Sequence, residues 1–126
     1  MYEYGAKVLN VVDGDTYDLD IDLGFHIHIH ERVRVLDLDT PETRGDERDL
    51  GETVKAFVTD FLTGKEVTIR SKREILPKTD SFGRWLVEVI VGGESVAEML
   101  TDLGVNKYAD SYDVGSVMAL KEVVGG

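Results

Sequence analysis

The sequence predicts a small α+β domain dominated by a β-barrel, with five strands closed on themselves and sealed by two or three helices. Three observations lead there. Apolar and polar residues alternate with a period of two over most of the stretch from Tyr17 to Val35, the pattern of strands buried on one face only. After Gly51 the period becomes that of a helix. The chain has 126 residues and 42% hydrophobic content, enough to enclose one core and too little for two, so residues 1–126 are expected to form a single domain whose sheet removes its edges by closing.

Each element follows from local pattern. Residues 4–12 are apolar and β-branched and read as a first strand. Tyr17, Leu19, Ile21 and Leu23 then alternate with Asp18, Asp20 and Asp22, and after Gly24 the alternation resumes with Phe25, Ile27 and Ile29 inward and His26, His28 and His30 outward. That pair reads as a hairpin with a three-residue loop centred on Gly24, which sets Asp22 opposite His26, Asp20 opposite His28 and Asp18 opposite His30. Glu31 interrupts the inward series, which suggests a bulge.

Val54, Phe57, Val58, Phe61 and Leu62 share one helical face, with Gly64 placed as the stop. Residues 66–70 and 86–91 read as two more strands. Ser95 to Glu98 has the form of a capping box, opening a helix that carries Met99, Leu100 and Leu103 and ends at Gly104. Residues 114–124 suit a third, weaker helix, and 43–50 and 71–83 suit loops.

The formal charge is −11, with 25 acidic against 14 basic side chains. Such a surface does not attract phosphate backbones from a distance, so any nucleic-acid partner must be gripped locally, without a basic track. With no cysteine, disulfides, thiolate zinc sites and a cysteine nucleophile are excluded. No apolar run reaches the length of a membrane span, and the chain as given shows no leader, so the expected location is the cytoplasm unless a signal segment has been processed away.

Two polar clusters fall where a barrel core would prefer apolar residues: Asp13-Gly14-Asp15-Thr16 at the first strand turn, and Asp37 to Thr43 at the end of the third strand. Either could be an ordinary turn. Together they offer carboxylates and carbonyls to a hard cation, and calcium accepts irregular oxygen sets of this kind. Arg34 and Arg84 add planar guanidinium forks, which match the non-bridging oxygens of a phosphate.

In order along the chain, Val11-Val12-Asp13-Gly14-Asp15-Thr16, Val33 to Thr43 with its Asp39-Thr40-Pro41-Glu42, the helix opening Gly51 to Phe57, Thr79 to Arg84, and the helix ending Leu103-Gly104 resemble the staphylococcal nuclease family. The resemblance implies an oligonucleotide-binding type of barrel and a calcium-dependent nuclease that cuts DNA or RNA and leaves 3′-phosphates, acting as a monomer without a membrane. It further implies that Asp15 and Asp39 ligate calcium by carboxylate and Thr40 by its carbonyl. By the same resemblance Glu42 positions or deprotonates the attacking water, Arg34 and Arg84 hold the phosphate, and Phe82 and Tyr112 contribute to substrate binding.

There are departures from the family pattern. Ser81 and Phe82 stand where the family has a lysine and a tyrosine, and Asp110 replaces one of two tyrosines, leaving Tyr112. The loop after Glu42, residues 44–49, lacks the lysines of the type member. All three changes weaken substrate grip and leave the catalytic set intact. The competing reading is a non-catalytic recognition module of the same fold. A metal site on His26, His28 and His30 is a further reading, against which exposed strand histidines are ordinarily solvated.

Overall fold

A computed structural model describes residues 2–71 and 84–124. Strands β1 (Tyr2–Asp13), β2 (Thr16–Asp22) and β3 (His28–Val35) are followed by a 3-10 turn (Gly45–Glu47) and helix α1 (Arg48–Leu62). Then come β4 (Glu66–Ser71), β5 (Trp85–Val91), a two-residue β6 (Glu94–Ser95) and helices α2 (Val96–Asp102) and α3 (Val114–Val124). The sheet order is β3-β2-β1-β4-β5-β6, and a parallel pairing of β3 with β5 closes the first five strands into a barrel. The α+β barrel expected from periodicity is the observed fold.

Alternation places Val8, Tyr17, Leu19, Val33, Val35 and Val89 inside, all fully buried. Helix α1 lays Val54, Val58 and Leu62 on this core and packs against β1 and α3. Its end is set by Gly64, at φ 80°, where a left-handed residue stops a helix without a Cβ penalty. The Ser95 hydroxyl accepts the Glu98 amide at 3.3 Å and caps α2.

The structure corrects the hairpin. Gly24, Phe25 and His26 all have positive φ, and the Leu23 amide donates to the Ile27 carbonyl, so the loop is five residues long. Asp22 therefore pairs with His28, Asp20 with His30 and Asp18 with Arg32. A slip of two positions preserves which side chains share a face and changes only their partners. The longer loop carries its apolar residues beyond the barrel, leaving Phe25 96% and Ile27 55% exposed, with Ile29 also at the surface.

No bulge forms at Glu31, which pairs with Leu19 in unbroken register. The irregularities lie in β1 instead, between Val8 and Asn10 and between Val11 and Asp13. The second of them kinks the strand where it approaches the first turn. Residues 45–50, expected as loop, hold the 3-10 turn and the first residues of α1. The expected loop over 71–83 lies almost wholly outside the described residues, and its one described residue, Ser71, ends β4.

Candidate active site

The site begins at the turn between β1 and β2. A Cβ added at Gly14 would come within 2.6 Å of Val54 Cγ1 and 2.7 Å of Thr40 Oγ1, so only glycine lets α1 and the 36–43 segment close on this turn. The next residue, Asp15, is buried. Its carbonyl accepts the Val35 amide at 2.9 Å, and its carboxylate is surrounded by donors. The Thr16 hydroxyl is at 2.9 Å, the Thr40 amide at 3.2 Å and Arg34 Nη2 at 3.5 Å. Tyr17 completes the turn by donating its hydroxyl to the Gly14 carbonyl at 2.7 Å, and burial pushes that phenol's pKa far up, keeping it a donor.

The second segment leaves β3 through Asp37 at φ 63°. The carboxylate of Asp39 accepts Arg34 Nη2 at 3.2 Å, so one guanidinium lies between the two carboxylates and also donates to the Leu38 carbonyl. Burial raises the Asp39 pKa above the ordinary carboxylate range, Lys107 opposes the shift, and the neighbouring Asp15 adds to it. Thr40 and Pro41 are buried and Glu42 is exposed. Among the described residues, Thr40 Oγ1 is the buried side-chain polar atom without a hydrogen-bond partner. Arg84, just before β5, donates to the Thr16 hydroxyl at 3.3 Å.

These pieces line one open cleft of about 550 Å³, which contains Asp15, Arg34, Asp39, Thr40, Glu42 and Arg84 together with Asp13, Thr43, Arg32 and Arg44. The cleft is lined by four carboxylates, those of Asp13, Asp15, Asp39 and Glu42, and by four guanidiniums, those of Arg32, Arg34, Arg44 and Arg84. Its charges balance, so the acidic excess of the chain lies elsewhere.

The staphylococcal nuclease homologue family matches residues 32–122, well over half of the chain. The chain belongs to this family. Among curated proteins none matches it. The match includes Arg34, Asp39, Thr40, Glu42, Arg84 and Tyr112 and begins downstream of Asp15. Membership in the staphylococcal nuclease homologues gives the chain a nuclease-type or nucleic-acid-binding character. Among the described residues no helix is long and apolar enough to cross a membrane.

Within this nuclease-family cleft the eight residues singled out from sequence fare differently. Six line it together. Tyr112 does not line it; it is half-buried against the core, where burial raises its pKa and Glu47, Lys107 and Asp39 act on it from nearby. Phe82 lies outside the described residues, as does Ser81. His28 Nδ1 sits 3.0 Å from Asp20 Oδ1, with His30 Nε2 3.8 Å from the same oxygen. Among the described residues no three His, Cys, Asp or Glu side chains gather closely enough to hold a metal.

A cation in the cleft would therefore depend on two carboxylates, the Thr40 carbonyl and solvent. That donor set is all oxygen, which suits calcium with its tolerance for carbonyl and water ligands.

Sequence reasoning missed several supporting residues. Asn106, buried in the α2–α3 connection, accepts the amides of Asp39 and Tyr108 through Oδ1 and donates through Nδ2 to the Asp37 carbonyl and the Thr101 hydroxyl. Two of these bonds hold the segment that carries Asp39, and the other two tie Asn106 to Thr101 and Tyr108, close by in sequence. No local signal marks its part in the site, because the partners that matter there, Asp37 and Asp39, are some seventy residues away in sequence. The Thr43 hydroxyl likewise donates to Asp13 Oδ1 at 3.0 Å and ties the two polar clusters together.

Proposed function

We propose that the chain is a calcium-dependent phosphodiesterase that hydrolyses DNA, RNA or both at the bond between phosphorus and the 5′ oxygen, leaving 3′-phosphates. The observation that carries this reading is the single cleft in which Asp15, Asp39, Thr40, Glu42, Arg34 and Arg84 meet. Its balanced lining answers the objection raised by the net charge, because a polyanion entering there meets as many guanidiniums as carboxylates.

Asp15, Asp39 and the Thr40 carbonyl are the groups suited to hold calcium. When bound, the ion supplies positive charge beside the phosphate, where charge grows as the bond order at phosphorus changes. Arg34 rests between Asp15 and Asp39, at the edge of the space a phosphate would enter, where its planar fork suits a phosphate oxygen. Arg84 approaches the same space from the start of β5.

Glu42, exposed at the rim, takes a proton from the attacking water. Oxygen from that water then bonds to phosphorus while the bond to the 5′ oxygen breaks, and the departing oxygen, its charge stabilised by Arg84, takes a proton from solvent to become a 5′ hydroxyl. Tyr112 and Phe82 remain candidates for holding the nucleoside.

The test is incubation with labelled single-stranded and double-stranded DNA and RNA, first in millimolar calcium and then in chelator. Cleavage that depends on calcium and yields 3′-phosphate ends is the expected result. Oligonucleotide binding without cleavage would favour the non-catalytic module instead.

A further inference from the structure

The segment Asp39-Thr40-Pro41-Glu42 carries three of the proposed functional groups within four residues, and its two ends are held by a pair of residues joined through their side chains, one end by the Lys107 backbone amide and the other by the Glu47 carboxylate. Glu47 ends the 3-10 turn and stands at the N-cap of α1. Short polar side chains such as aspartate at that position accept from the first amides of their own helix. Glu47 makes no such cap. Glu47 Oε2 instead accepts the Glu42 amide at 3.0 Å, while Oε1 accepts Lys107 Nζ at 2.6 Å. The Lys107 amide in turn donates to the Asp39 carbonyl at 2.7 Å.

The bonds form a ring that runs from the Asp39 carbonyl through Lys107 and Glu47 to the Glu42 amide. A carboxylate suits the Glu47 position because it is acceptor-only and has two oxygens, one for each end of the ring. Each charge supports the other: Lys107 lowers the Glu47 pKa and Glu47 raises that of Lys107, chiefly through their hydrogen bond. Both side chains are about one-third exposed, 29% for Lys107 and 34% for Glu47. Ion pairs so open to solvent add little to stability, so the placement of the pair is better explained by what it holds than by what it stabilises.

We propose that Glu47 and Lys107 are positioning residues that fix the backbone from Asp39 to Glu42, and so set the Glu42 carboxylate relative to the Asp39 and Thr40 oxygens. The inference rests on the nuclease reading of the cleft. Neither residue touches substrate; both act through backbone.

The test compares Glu47→Ala, Glu47→Gln and Lys107→Met with the unmodified protein by amide hydrogen exchange at Glu42, thermal unfolding and steady-state cleavage in saturating calcium. Glu47→Ala is expected to expose the Glu42 amide to exchange, to leave the unfolding midpoint nearly unchanged, and to lower kcat by about 10- to 100-fold with KM within about twofold, the cost of misplacing a reacting group by a fraction of an ångström to an ångström. Glu47→Gln keeps an oxygen for the Glu42 amide and should recover most of the turnover, while Lys107→Met should fall between the two.

Unchanged Glu42 protection in Glu47→Ala would overturn the proposal, as would a Glu47→Gln as impaired as the alanine variant. Loss of turnover in proportion to loss of folded protein would overturn it too. A wild-type protein that cuts nothing defeats the nuclease reading instead, and Glu42 exchange still decides whether the pair holds the loop.

Discussion

Gly51 of helix α1 lies directly against the carbonyl of Glu42, so closely that a Cβ added at Gly51 would overlap the Glu42 carbonyl group and press on the Thr43 amide. The helix and the loop meet backbone to backbone. Gly51→Ala must therefore push Glu42 out of place. It is expected to cost about 1–3 kcal/mol of stability as an overpacked contact and to reduce cleavage by at least about tenfold, because the displaced residue is the proposed base. Urea unfolding and initial rates on one oligonucleotide check both; wild-type rates in the variant would show that Glu42 has no demanding position.

Glu42→Gln tests the chemistry itself. It keeps the shape and the backbone amide that Glu47 accepts, and removes only the proton acceptor. Turnover is expected to fall by about two to four orders of magnitude, while the calcium-induced rise in unfolding midpoint persists, since this carboxylate acts on water more than on the ion. A variant that cuts at the wild-type rate would remove Glu42 from the mechanism.

Asp13 offers a test by pH. Burial raises its pKa above the ordinary aspartate value of 3.8, only partly offset by the Thr43 hydroxyl, and Asp15 adds to the rise. A carboxyl whose folded-state value is raised stabilises the fold fully below its unfolded value, and that contribution is lost as pH climbs through the folded value. At neutral pH the ionised Asp13 is thus a burden. Asp13→Asn keeps an oxygen for Thr43 and should make the calcium-free protein more stable than wild type near pH 7, with the advantage shrinking as pH falls toward 3.8. An advantage that is constant with pH, or absent at neutrality, would contradict the assignment.

Phe25 sits at φ 54° with its ring almost wholly in solvent, so it bears the cost of a left-handed backbone without visible packing in return. For a residue with a Cβ that cost is roughly 1–2 kcal/mol, part of which glycine returns as lost chain entropy. Phe25→Gly is expected to be neutral to stabilising by up to about 1 kcal/mol in urea unfolding. A clear loss of stability would mean that the ring rests on something.

How much of this was legible in the sequence differs by element. Strict alternation marked β2 and the register-independent faces of the hairpin, and helical periodicity marked α1, because both signals are local and each residue's neighbours decide its burial. The loop at Gly24 was misread because one glycine suggests a tight turn, whereas Phe25 and His26 also adopt left-handed backbone, which their residue types do not advertise. Asp15, Arg34, Asp39, Thr40, Glu42 and Arg84 were visible as charged or polar residues at strand ends, and the cleft brings all six together. Asn106, Glu47 and Lys107 were not, since their importance lies in hydrogen bonds to backbone groups about five to seventy residues away, and a lone lysine or glutamate in a loop looks like any solvated charge.

Barrel closure depends on a short parallel seam, Val33↔Trp85, Arg34↔Leu86 and Val35↔Val87, backed by the Leu36 amide on the Val87 carbonyl at 2.8 Å. The antiparallel pairings of β1 with β2 and with β4 are each about twice as long. Arg34 is in this seam and Arg84 immediately precedes it, so a short joint of the barrel, matched in length by the pairing of β4 with β5, is what brings the two guanidiniums together. Parting β3 from β5 would separate those forks even with the longer pairings of β1 intact. The two guanidiniums are thus coupled to barrel closure: loss of the β3–β5 seam would part them, and only a closed barrel holds them over one cleft.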